Sequence, residues 1–133
     1  MNRIDRYDSL IRFYAEMYNQ DRRLMKAQIK AESNFNPYAE SPAGAKGLCQ
    51  FMQPTFDEWA KRVRLTLPDV WNPEHQIHLQ AAYLQWLGDQ LGDNPSRILA
   101  AYNYGIGHIK KGDPWPDETV SYVDKILADL QVV

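Results

Sequence analysis

Apolar residues recur at helical intervals along most of the chain, and the breaks between the runs carry Gly, Pro and cap residues. Ile4, Tyr7, Leu10, Ile11, Tyr14, Met17 and Tyr18 predict one amphipathic helix over 4–18. After Asn19-Gln20-Asp21, which offers N-cap chemistry, a second helix is expected from Arg22 to Ser33, with Met25, Ile29 and Glu32 on one face. Residues 36–47, rich in Pro, Gly and Ala, predict a loop with a short hairpin. Thr55 as N-cap and Glu58 as its capping-box partner would open a third helix carrying Phe56, Trp59, Ala60 and Val63. The segment Pro68 to Pro73 interrupts, and His75 to Leu91 is the plainest helix, closed by Gly92. A shorter helix is expected from Pro95 to Tyr104, a Gly/Lys/Pro-rich loop from Gly105 to Pro116, and a last helix from Glu118 to Leu130.

Composition narrows the possibilities. The 133 residues, 44% apolar and 12% aromatic, suffice to bury a core without metal or disulfide staples, and one domain over 1–133 is expected. The net charge of −2 excludes strong steering to nucleic acid or anionic membranes. Basic residues are more frequent in the first half, where they are spread along helices and form no block. A lone cysteine, Cys49, excludes an intrachain disulfide. No run approaches the ~20 apolar residues of a membrane span. Residues 1–18 lack the apolar core of a signal peptide, so any extracytoplasmic role would require a delivery route not read from these residues. The three histidines do not form a metal-ligand pattern, and neither metal nor other cofactor is expected.

Glu32 is the leading chemical candidate. A carboxyl group sharing a face with Met25 and Ile29 is partly desolvated, which disfavours its charged form and suits a general acid near neutral pH. The alternative on spacing alone is an ion pair with Arg22 or Arg23, or a solvated helix end.

The residues after Glu32 change that balance. Glu32-Ser33-Asn34-Phe35-Asn36-Pro37-Tyr38-Ala39 leads through Ser41-Pro42-Ala43-Gly44-Ala45-Lys46-Gly47 into Leu48-Cys49-Gln50-Phe51-Met52. Downstream stand Ala100-Ala101-Tyr102-Asn103-Tyr104-Gly105 and Glu118-Thr119-Val120-Ser121-Tyr122-Val123, with Asn72-Pro73-Glu74 and Ile77 to Leu87 between. In this order and spacing the segments resemble the soluble lytic transglycosylases, relatives of goose-type lysozymes, over residues 24–127. The resemblance implies a mainly α fold of the α+β lysozyme-like superfamily, with about six helices and a small loop or hairpin region. It implies Glu32 as catalytic acid and base, Ser33 at the start of the substrate-positioning turn, and Gln50 lining a glycan cleft. Tyr102 and Asn103 would hold the sugar N-acetyl group, and Tyr122 would reach the catalytic carboxyl. The implied partner is the glycan strand of peptidoglycan in the bacterial cell wall, reached by delivery through a virion, a holin or a secretion apparatus, with a monomer expected. Two departures are Cys49, where the family usually has Met, and His75-Gln76, where it commonly has Asn beside Ile77. Without the motifs, Gln50 would satisfy loop backbone, Tyr102 would be core and Asn103 a C-cap. Phe51, Tyr104 and Trp115 are candidate stacking faces, more readily read as packing.

Glycosidases commonly place two carboxyl groups about 5–5.5 Å apart for retention or 6.5–9.5 Å for inversion. Only Glu32 carries motif support; Glu40, Asp57 and Glu58 are assigned to a loop, a helix first turn and a cap. A single carboxyl fits substrate assistance by the N-acetyl group and 1,6-anhydro ring closure. The alternatives are a hydrolytic lysozyme on the same site, a cell-wall-binding or virion structural module without turnover, and a Cys49 nucleophile with His75, His78 or His108 as base.

Overall fold

The structure, a computed structural model, describes residues 2–131, the side chain of Gln131 excepted; Met1, Val132 and Val133, the ends of the expected 1–133 unit, lie outside the described residues. After a 3-10 turn at Arg3–Asp5 come seven helices: α1 (Asp8–Met17), α2 (Arg22–Ser33), α3 (Gln53–Arg62), α4 (Pro73–Leu91), α5 (Pro95–Tyr104), α6 (Ile106–Lys111) and α7 (Asp117–Gln131). Among the described residues there is no strand. Two isolated antiparallel bridges, Glu40 with Lys46 and Lys46 with Phe51, give the 36–52 segment its only sheet-like pairing.

Short polar side chains start the helices. Asp21 accepts from the Arg23 and Leu24 amides, Asn72 from those of Glu74 and His75, and Asn94 from that of Ser96. Each satisfies amides that the helix cannot, an effect of about 1 kcal/mol. Pro73 and Pro95 follow two of these caps, where no amide hydrogen is needed.

Three expectations are corrected. The helix expected over 4–18 is divided, because Asn2 caps a separate 3-10 turn and α1 begins only at Asp8, leaving Ile4 and Met17 exposed. Thr55 is not an N-cap: α3 starts at Gln53 with Pro54 in its first turn, and Glu58 pairs instead with Arg62 at 2.8 Å. Pro54 is compatible with that early start, which puts Thr55 inside the helix. The Gly105–Pro116 loop contains α6, because Ile109 turns inward and is buried. Gly105, at φ 111°, redirects the chain between α5 and α6.

The helix α4 runs through the middle. Ile77, Leu79, Ala81, Leu84 and Leu87 are buried around several of its sides, and α1, α3 and α5 pack on it. Each of its large apolar side chains contributes roughly 2 kcal/mol by leaving water. The helix α2 lies against α1 and α7, and α5 also meets α6 and α7. One core cluster unites α1, α2, α3, α4 and the 48–51 segment; a second joins the far end of α4 to α5, α6 and α7. Phe51, Tyr102, Tyr83 and Trp59 form a continuous run of rings with centroids 5.2–5.8 Å apart.

The 46–50 turn closes onto α4. An added Cβ at Gly47, whose φ is 83°, would lie 2.6 Å from the Gln76 amide nitrogen and 2.9 Å from the Val70 carbonyl oxygen. Replacement of Gly47 by Ala is therefore expected to destabilise the fold by about 3 kcal/mol, combining backbone strain with displacement of Gln76. Urea unfolding of the variant against the parent chain measures it; an unchanged midpoint contradicts the close packing of this turn.

Candidate active site

Glu32 occupies the last turn of α2. Met25 and Ile29 below it on the same face are fully buried, so the helix that anchors it cannot rotate without exposing core. Its neighbour is not an arginine. Arg23 donates to the Leu130 carbonyl, whereas Glu32 Oε2 accepts from the hydroxyl of Tyr122, on α7, at 2.8 Å. Burial pushes the Glu32 carboxyl up to about 8; the Tyr122 hydrogen bond opposes this by favouring the ion, and the charge of Glu118 reinforces it. The group is thus a neutral acid at pH 7, with its ionised form still provided with a donor.

Three of the other expected site residues, Ser33, Gln50 and Tyr102, are tied to the 46–51 segment. Ser33 is buried, and its hydroxyl lies 2.7 Å from the Leu48 carbonyl oxygen, joining the end of α2 to this segment. Tyr102 donates to the Cys49 carbonyl at 3.1 Å. Gln50 adopts φ 56° and donates from Nε2 to the carbonyls of Ala39 and Gly47. Its amide hydrogens therefore do satisfy loop backbone, and only its Oε1 is left to meet a ligand. Asn103 is within α5, not a C-cap, and its Oδ1 accepts from the Thr119 hydroxyl at 2.8 Å. That leaves the Asn103 amide hydrogens available.

Two cavities meet at Glu32. One, of about 530 Å³, extends past Lys30, Asn34, Glu40 and Lys125. The other, of about 370 Å³, is lined by Phe51, Tyr83, Tyr102, Asn103, Tyr104 and Glu118. Glu32, Ser41 and Gln50 border both, which makes a groove with the carboxyl at its middle. Ser33 borders the first cavity; Tyr122 borders neither and approaches Glu32 from behind. Of the candidate stacking rings, Phe51 is buried, Tyr104 borders the groove with its face stacked on His108 at 4.0 Å, and Trp115 packs against the second core cluster.

The cysteine alternative lacks a base. Cys49 is buried, burial raises its thiol well above the usual range, and the histidines are engaged elsewhere: His75 with the Asp69 amide, His78 with Tyr18, His108 with Asp113. Among the described residues no group of three or more His, Cys, Asp or Glu could hold a metal ion.

Sequence reasoning missed four residues. Glu118 puts a third carboxyl group, exposed, on the groove wall beside Glu32 and Glu40. Gln76, whose difference from the family pattern was expected to affect helix packing, accepts from the Cys49 amide at 2.9 Å and donates to the carbonyls of Lys46 and Val70. Gln28 and Gln80 are buried behind Tyr122. The available signal was three amide side chains on otherwise apolar helix faces, which calls for buried partners.

The raised acid links stability to pH. Because Glu32 holds its proton up to about 8 folded and only to about 4.5 unfolded, the native state binds more protons in between, and stability falls as pH rises through that window. Glu32→Gln removes the penalty. The variant is expected to match the parent below pH 4.5 and to exceed it by roughly 4–5 kcal/mol above pH 8. Thermal unfolding across this range checks it, and a constant difference at all pH values contradicts the assignment.

Comparison with known proteins gives a consistent result. A family model described as the transglycosylase SLT domain matches residues 9–114. The membrane-bound lytic murein transglycosylase F of Hahella chejuensis is 32% identical over 115 residues, 82% of this chain and 21% of that protein. The soluble lytic murein transglycosylase of Escherichia coli is 28% identical over 124 residues, 90% of this chain and 19% of that protein. This chain therefore spans about a fifth of the length of these relatives. Among solved structures, an inactive mutant of the lytic transglycosylase Slt from Pseudomonas aeruginosa superposes with a TM-score of 0.85 at 26% identity, over 94% of this chain and 23% of that one. The 70 kDa soluble lytic transglycosylase of Escherichia coli gives 0.84 at 29% identity, over 92% and 23%; a complex of a 70-kDa soluble lytic transglycosylase with bulgecin A matches similarly. With the mainly helical lysozyme-like fold and the family model agreeing over most of its length, the chain belongs to the transglycosylase SLT domain family.

Proposed function

We propose that this chain is one SLT unit that cleaves the β-1,4 bond between N-acetylmuramic acid and N-acetylglucosamine in peptidoglycan, leaving 1,6-anhydro-muramic ends. The observation that carries the reading is a carboxyl neutral at pH 7, backed by a tyrosine hydroxyl and set in the middle of a groove. Family membership supports the reaction class.

In this mechanism Glu32 gives its proton to the glycosidic oxygen as the acetamido carbonyl of the muramic residue closes on the anomeric carbon. The C–O bond breaks and the N-acetylglucosamine side leaves as an alcohol. Tyr122 stabilises the resulting carboxylate. Glu32 then takes the proton of the sugar's C6 hydroxyl, whose oxygen attacks the anomeric carbon, expels the acetamido oxygen and closes the anhydro ring. Water is not consumed. The positioned intramolecular nucleophile accounts for the advantage over solvent. Asn103, with its amide hydrogens available, orients the acetamido group; Gln50 Oε1 accepts from a sugar hydroxyl or amide; Tyr102 and Ser33 act by holding the 48–49 backbone.

A hydrolytic reading has one observation in its favour: Glu118 and Glu40 border the same groove and could hold a water. Mass spectrometry of the soluble products from purified peptidoglycan separates the two. Products lighter by one water than hydrolytic muropeptides and resistant to borohydride are expected, with Glu32→Gln inactive and activity declining as pH rises through about 8. Reducible products that disappear in Glu118→Gln establish hydrolysis instead, and the absence of products from the parent chain moves the binding-module reading to the front.

A further inference from the structure

Behind Glu32 runs a chain of hydrogen bonds with only one possible polarity. Gln80 and Gln28 are both fully buried. Nε2 of Gln80 donates to the Met25 carbonyl at 3.1 Å and to Gln28 Oε1 at 2.8 Å. Nε2 of Gln28 donates to the Tyr122 hydroxyl oxygen at 2.9 Å, and that hydroxyl donates to Glu32 Oε2 at 2.8 Å.

The direction is set at its far end by a backbone carbonyl, which can only accept. Turning the Gln80 amide over would place its oxygen against two acceptors. Gln28, faced by the Gln80 amide hydrogens, must present its own oxygen there and its nitrogen to Tyr122. The arrangement leaves Gln80 Oε1 buried without a partner among the described residues. That is the mark of an amide whose orientation is imposed by its nitrogen's contacts. Since the Tyr122 oxygen already receives a hydrogen from Gln28, the tyrosine's own hydrogen goes to Glu32.

We propose that Gln28 and Gln80 are positioning residues that fix the acidic proton of Glu32 on Oε1. With Oε2 occupied by the Tyr122 hydrogen in both protonation states, the neutral carboxyl carries its proton on the oxygen that Tyr122 leaves free. The acid is then ready without a rotation of the carboxyl. This rests on the reading of Glu32 as the acid. The other groups around Glu32 are Lys30 on its own helix, Glu118 and Lys125 on α7, Tyr102 on α5, Ser41 and Glu40 across the groove, and the buried Cys49. None of them is hydrogen-bonded to Gln28 or Gln80.

The test is a double-mutant cycle between Gln28→Leu and Tyr122→Phe, read by steady-state kinetics on a soluble glycan oligomer and by carbon NMR titration of Glu32. Gln28→Leu is expected to lower kcat roughly tenfold with KM unchanged. It is also expected to raise the Glu32 midpoint, because the ion loses a firmly directed donor, and so to move the alkaline limb of the pH profile upward. In the Tyr122→Phe background Gln28→Leu should change neither quantity. Gln80→Leu should act in the same direction more weakly, and supplies the measurement if Gln28→Leu does not fold. Additive losses, a change in KM alone, or an unmoved Glu32 midpoint overturn the proposal. The two readings separate cleanly. Cleavage by the parent with an unmoved midpoint removes the positioning role and keeps the enzyme; an inactive parent whose Glu32 midpoint still responds to Gln28 through Tyr122 keeps the hydrogen-bond chain and removes the enzyme.

Discussion

The segment from Lys46 to Phe51 passes through the interior without a sheet to receive its backbone, and the groove depends on how its polar atoms are met. A buried carbonyl or amide without a partner is costly, so an irregular segment persists inside only when other elements supply donors and acceptors. Here they come from several directions. Ser33 at the end of α2 reaches the Leu48 carbonyl, Gln76 at the start of α4 takes the Cys49 amide, and Tyr102 of α5 donates to the Cys49 carbonyl. Gln50 bonds back to Gly47. Three helices are thereby keyed to one short stretch of backbone, which brings Gln50 to the same groove as Glu32.

This explains why function and packing are hard to separate here. Ser33 and Tyr102 match motif positions, yet their polar atoms are engaged with backbone. Their contribution is positional: they hold the wall of the groove at a defined distance from α2. Glu32 and Asn103 differ, since both border the groove with hydrogen-bonding capacity still available. A motif thus mixes groups that face a ligand with groups that hold the first kind in place.

Much of this was legible in the sequence. The helices α2, α4, α5 and α7 follow from apolar spacing and from Asp21 before α2, Gly92 after α4 and Pro95 at the start of α5, because amphipathic periodicity and end signals are local properties, whereas the caps Asn72 and Asn94 emerge only in the structure. Glu32 stood out because a carboxyl ending an apolar stripe is a local anomaly. The start of α3 was misplaced because two valid local signals, Pro54 in a first turn and Thr55 before Glu58, compete, and packing of Phe56 and Trp59 is compatible with either. The helix α6 was missed because Gly105, Gly107 and two lysines read as loop until Ile109 finds its place in the second core cluster. The roles of Gln28, Gln76 and Gln80 were not legible, since each is defined by partners 27 to 94 residues away. Glu118 was hidden for the same reason: only the crossing of α7 over α2 brings it to the groove.

The position of Glu32 one residue before the end of α2 has an electrostatic meaning of its own. The unpaired carbonyls of a helix C-terminus carry partial negative charge, which opposes a carboxylate there by roughly 0.3–1 kcal/mol. Asn34, in the left-handed conformation at φ 51°, ends the helix at this point. Had α2 continued another turn, Glu32 would be a mid-helix residue, remote from those carbonyls. The capping residue therefore helps set the acidity of a side chain that it does not touch, and a change in where the backbone leaves the helix would retune the acid without altering any group in the groove.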